Sequence, residues 1–136
     1  MGSSSRKKSS KGAAAGGARR EAGAAKTVYD DWVWWPNEPS RRSRAEEEFR
    51  ANFPPPVKAE MLTRIGRLLD GDTRSMDVKD LGGGIKELRY RTGNNHYRIL
   101  FAVFDKTCVG LTCFYKNQQR TEKVDLDRAK SRRDNY

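Results

Sequence analysis

The chain has 136 residues, enough for about one domain, and its 28 Lys and Arg against 18 Asp and Glu leave a formal net charge of +10. Only 35% of the residues are hydrophobic while 34% are charged, and no apolar run approaches the roughly 18 residues of a spanning helix. A cytoplasmic protein with one modest core and a polyanionic partner is expected, with no membrane association.

Residues 1–27 hold seven basic residues and one acid, Glu21, in a background of Ser, Gly and Ala. Without an aromatic residue this segment cannot bury enough apolar surface to offset the entropy of ordering. It reads as a disordered basic tail, leaving residues 28–136 as the folded domain.

From Thr27 to Trp35 the chain turns β-branched and aromatic and stops at Pro36, the pattern of a strand. Trp32 and Trp34 are expected on its buried face and Trp35 or Tyr29 in solvent. Ser40 then caps a short amphipathic helix running to Ala51, with Ala45 and Phe49 as its apolar side, and Pro54, Pro55 and Pro56 end it. Val57, Met61, Ile65, Leu68 and Leu69 follow at helical spacing up to the stop signal Asp70-Gly71. The two helices form a hairpin with one apolar side. Gly82, Gly83 and Gly84 read as a flexible connection.

The second half reads as a three-stranded antiparallel meander: Ile85 to Arg91, Asn95 to Phe104 and Thr107 to Lys116, with turns at Gly93-Asn94 and Asp105-Lys106. Loops of two residues fix the register. Partners then sum to 187 in the first hairpin and to 211 in the second, and faces follow from the period of two. One face collects Leu88, Tyr90, Tyr97, Ile99, Phe101, Val103 and Phe114 and should pack on the helix hairpin. The other gathers Arg89, Arg91, His96, Arg98, Cys113 and Tyr115 at one end, with Arg89 opposite Arg98. Like charges so placed repel, so an anion is required, either Glu87 or an external one. On this register Lys116 falls on the opposite face unless the strand has already ended. Cys108 and Cys113, an odd number of residues apart, point to opposite faces and do not bridge. With His96 as the single histidine, soft ligands are too few for structural zinc, and neither metal nor cofactor is expected. Thr121 to Tyr136 reads as a short C-terminal helix with Val124, Leu126 and Ala129 as weak anchors.

The run from Leu81 through the three glycines to Ile85, Lys86, Glu87, Leu88 and Arg89 carries a resemblance, together with Tyr97-Arg98-Ile99-Leu100, Phe114-Tyr115-Lys116, Thr121, Ala129 and Arg132. In order and spacing these residues resemble the HigB and phage-encoded branch of the RelE/ParE toxin superfamily. Asn117 and Glu122 stand where the family usually has Lys and Pro. The resemblance implies an α+β fold, RelE-like β-α-α-β-β-β, with an antiparallel sheet packed on a helix hairpin and a short C-terminal helix. It also implies a toxin of a toxin-antitoxin pair that acts as a metal-independent mRNA endoribonuclease on the ribosome and is held by a cognate antitoxin.

That chemistry needs a base, charge stabilisation and an acid. Arg89 and Arg98 suit the phosphate because planar guanidiniums bind it bidentately. His96 or Tyr115 could be the base. Lys116 and Arg91 could protonate the leaving group or hold the backbone, and Lys86 and Arg120 add candidate RNA contacts. Two other readings remain, a non-catalytic inhibitor of the ParE kind and a nucleic-acid-binding accessory module.

Overall fold

In the computed structural model, the described residues are 28–72, 77–116 and 121–136. The basic tail, Asn117 and Arg120 lie outside them. The elements in chain order are β1 (Asp31–Trp34), α1 (Arg44–Asn52), α2 (Pro55–Asp70), β2 (Val78–Gly82), β3 (Ile85–Thr92), β4 (Asn95–Phe104), β5 (Thr107–Lys116) and α3 (Lys123–Asp134). They build an α+β fold around one five-stranded sheet of order β1-β5-β4-β3-β2. The sheet is mixed: β1 runs parallel to β5, and the other pairs are antiparallel.

Three local readings change. The prolines begin α2, with Pro54 as its cap and Pro55 and Pro56 in its first turn, where a missing N–H costs nothing because no intrahelical partner exists there. Helix α1 starts at Arg44 rather than beside Ser40. The Gly-rich connection is an ordered hairpin: β2 pairs with β3, and Gly83 and Gly84 turn between them at positive φ, a conformation glycine adopts without steric cost. The order is therefore β-α-α-β-β-β-β-α, with one strand more than the resemblance implied.

The sheet is covered on both faces. On one, Phe53, Val57, Met61, Ile65 and Leu68 of the helix hairpin pack with Leu88, Tyr97, Ile99 and Phe101. On the other, Ala129 and Leu126 of α3 lie with Ile85, Leu100, Ala102, Val109, Leu111 and Phe114. Each large side chain fully buried here contributes about 1.5–3 kcal/mol. Trp35 is buried in the second cluster and Tyr29 is partly buried against the first, where one of the two was expected in solvent, whereas Trp32 and Trp34 do pack on the helix-hairpin cluster.

Register decides the site. The β3–β4 hairpin pairs as the two-residue turn requires, with Lys86 opposite Phe101, Arg89 opposite Arg98 and Arg91 opposite His96. The β4–β5 hairpin starts in the expected register, with Phe104 opposite Thr107, and holds it to Phe101 opposite Gly110. A bulge then inserts Leu111, and Leu100 meets Thr112, Arg98 meets Phe114, Tyr97 meets Tyr115 and His96 meets Lys116.

The bulge has physical causes. Strand β1 ends at Trp34, opposite Gly110, so beyond this point β5 has no strand on its outer edge. Side chains satisfy that edge instead: Arg132 donates to the Leu111 carbonyl at 2.9 Å, Glu48 accepts from the Cys113 N–H at 3.2 Å, and Asn52 donates to the Cys113 carbonyl at 3.2 Å. Gly110 itself leaves room for the rings of Trp32 and Trp34, which would lie 2.7–2.8 Å from a Cβ placed there.

Candidate active site

Past Leu111 the period of two exchanges the faces of β5. Tyr115 sits on the helix-hairpin side, stacked on Tyr97 at 5.7 Å between ring centroids and 54% exposed. It does not share a face with Arg89 and Arg98, which corrects the grouping expected from an unbroken register. Cys113 joins Cys108 in the helix-hairpin cluster, so the two thiols lie on one side of the sheet and not on opposite sides. Both are free. Burial pushes Cys108 up to about 12 and Cys113 well above its ordinary value, which leaves neither as a nucleophile. Phe114 moves the other way, into the α3 cluster.

Lys116 follows Phe114, so the bulge brings it to the face of Arg89, Arg91, His96 and Arg98, directly opposite His96. Its Nζ lies 3.5 Å from Asp125 Oδ2 on α3 and 5.0 Å from the Phe114 ring.

Glu87 answers the anion question from inside. Its carboxylate, 1% exposed, lies 2.8 Å from Arg98 Nη1 and 3.6 Å from Arg89 Nε, and Thr121, just before α3, donates its hydroxyl to the same carboxylate. Arg98 is itself 1% exposed. A guanidinium enclosed this far needs a counter-charge inside the protein, and Glu87 supplies it. Arg98 is therefore part of the interior frame. Arg89, with its side chain 27% exposed, presents the reachable guanidinium. Arg91 is exposed at the strand end, where its Nε donates to the Gly93 carbonyl.

Backbone anchors hold Arg89 in place. Its N–H donates to the Asp77 carbonyl at 2.8 Å, and its own carbonyl accepts from Arg64 Nη1 at 2.9 Å. The buried Asp77 carboxylate pairs with both Arg64 and Arg67. Asp77 and Arg64 carried no sequence signal, because Asp77 lies in a polar stretch and Arg64 on a helix face that reads as solvated. Glu87 was legible as the nearest acid; Thr121 and Asp125 as walls of the site were not.

His96 is 8% exposed. Its pKa is lowered, first by burial and then by Arg98, Arg91 and Arg89, so the imidazole is neutral at pH 7 and able to accept a proton. Lys86 lies on the helix-hairpin face, opposite Phe101, and pairs with Asp80 at 3.6 Å. It belongs to the other side of the sheet from the arginine cluster.

The face thus offers a phosphate-sized positive charge at Arg89, a neutral imidazole at His96 and an ammonium at Lys116, around a buried carboxylate that fixes the arginines. A family described as "Phage derived protein Gp49-like (DUF891)" matches residues 47–134. Two proteins named "Probable endoribonuclease HigB1", from Mycobacterium tuberculosis strains CDC 1551 / Oshkosh and ATCC 25618 / H37Rv, are each 39% identical over 80 residues, covering 59% of this chain and 64% of the relative. The matched stretch is less than two thirds of those relatives' length.

Proposed function

The chain belongs to the Gp49-like phage-derived family, and from that premise we propose that it is a HigB-like toxin of the RelE/ParE superfamily that cuts mRNA, acting on the ribosome to inhibit translation. The observation that carries this reading is the cluster on the α3 face of the sheet, where Arg89, His96 and Lys116 surround the Glu87–Arg98 pair. The relatives' name, probable endoribonuclease, supports the same chemistry.

In the proposed reaction a ribose 2′-oxygen attacks the adjacent phosphorus, forming a P–O2′ bond as the P–O5′ bond breaks. His96 takes the 2′ proton, a role open to the unprotonated imidazole that its lowered pKa favours. Arg89 neutralises the charge that develops on the non-bridging oxygens, the kind of contribution typically worth about 3–4 kcal/mol. Lys116, whose ammonium lies beside Asp125, gives a proton to the departing 5′-oxygen. Glu87 and Arg98 hold Arg89 in position. Tyr115, on the other face, has no part in proton transfer. Each step uses side chains alone and yields a 2′,3′-cyclic phosphate and a 5′-hydroxyl.

The partners on this reading are mRNA on the ribosome and an antitoxin that covers the basic face. In vitro translation with primer extension on the message is the test. Cuts in register with codons support the reading, and an intact message with undiminished protein synthesis opposes it.

A further inference from the structure

Away from this cluster, Trp35, Arg41, Arg44, Arg128, Arg132 and Asn135 line an open cleft of about 470 Å³ between the start of α1 and the second half of α3. The lining holds four arginines and no acid. Two of the guanidiniums lie over the Trp35 ring, Arg41 at 5.3 Å and Arg132 at 4.9 Å from its centroid. We propose that this cleft binds the phosphate backbone of the RNA strand outside the cleaved bond, as a second, sequence-independent site. The proposal extends the endoribonuclease reading and rests on it for the identity of the strand.

Three features point to phosphodiester rather than base. The buried Trp35 carries guanidiniums over its ring, so recognition at this ring falls to the cations and not to base stacking. Ser131 and Asn135 add neutral polar groups to the same lining. The arginines also hold their acids from outside the lining: Arg41 with Glu38 at 3.0 Å, half exposed, Arg128 with Asp125 at 3.2 Å, and Arg132 with Glu48 at 2.7 Å. The exposed Arg41–Glu38 pair is worth little, whereas Glu48 holds Arg132 bidentately in a largely buried pair; a guanidinium has five N–H donors, so Arg41 and the partly exposed Arg128 can meet a phosphate while keeping their carboxylates.

Continuity favours RNA over an acidic protein segment. Arg128 shares Asp125 with Lys116 of the proposed catalytic face, and Arg132 follows one turn further on, about 6 Å along the helix. A cationic track therefore leads from the proposed point of cleavage along α3 to Arg41 and Arg44, the direction a bound strand would follow.

The test uses the full chain and a single-stranded RNA oligonucleotide carrying 2′-O-methyl groups, which binds but cannot be cut. Replacing both Arg41→Gln and Arg44→Gln, residues outside the proposed catalytic cluster, should weaken binding about tenfold at low salt. The slope of log affinity against log salt should become shallower by about 1.4, since each single-strand phosphate contact contributes about 0.7. Cleavage of a minimal dinucleotide substrate should be unchanged and KM for a long RNA raised. Equal affinity and slope in variant and wild type would overturn the proposal, as would loss of binding to poly-glutamate alone, which would assign the cleft to an acidic protein. RNA bound but never cut by wild type would instead reject the endoribonuclease reading and leave this site standing.

Discussion

Glu87 and Arg98 form a buried ion pair at 2.8 Å, each 1% exposed, beneath the guanidinium of Arg89. Two arginines opposite each other on neighbouring strands would repel, and the carboxylate between them turns that repulsion into a frame. Removing one partner leaves an uncompensated charge in the interior. Arg98→Ala is expected to lose about 3–5 kcal/mol of stability, and Glu87→Gln to destabilise as well, both read by denaturant unfolding. Unaltered stability in Arg98→Ala would show that its charge is not confined as described.

Arg89→Ala should behave differently. Its partly exposed side chain can be removed while Arg98 still pairs with Glu87, so the fold remains and cleavage falls about 10²–10³-fold. Melting curves and single-turnover cleavage together separate the two arginines.

His96 makes the account pH-dependent. Its folded pKa lies below its ordinary value, so the unfolded chain takes up a proton first as pH falls, and stability is full above roughly pH 6.5 and declines below it. His96→Gln should flatten that decline in thermal melts between pH 7.5 and 5.5. For a proton acceptor, the rate against pH should rise with a midpoint below roughly 6.5, and the same substitution should cost about 10²–10⁴-fold.

Gly110→Ala would place a Cβ 2.7–2.8 Å from the Trp34 and Trp32 rings, an overpacking expected to cost about 1–3 kcal/mol. Because this glycine adjoins the bulge, the variant also tests what sets the face of Tyr115 and Lys116. Tyr115→Phe, by contrast, should leave cleavage unchanged.

Much of this was legible in the sequence. Apolar spacing marked α2, β-branched and aromatic runs marked the strands, and the two-residue turn at Gly93-Asn94 fixed the β3–β4 register and with it Arg89, Arg91, His96 and Arg98 on one face. The β4–β5 register failed at a single residue, because pattern arithmetic assumes an unbroken ladder. The available signal was Gly110, since an isolated glycine inside a strand often marks a bulge. What lies across the sheet could not be read in the same way. Glu48 and Arg132, 84 positions apart, meet at the β5 edge, and Asp77 and Arg64 clamp Arg89, through contacts that no local periodicity encodes. The burial of Arg98 also depended on Thr121 and α3 closing over Glu87.

End-group analysis of the RNA products tests the central claim most directly, run on wild type and Arg89→Ala in the presence of a chelator. Wild type should yield 2′,3′-cyclic phosphate and 5′-hydroxyl ends at an undiminished rate, with Arg89→Ala nearly silent. Products ending in 5′-phosphate, or cleavage that stops on chelation, would contradict attack by the 2′-hydroxyl with side chains alone.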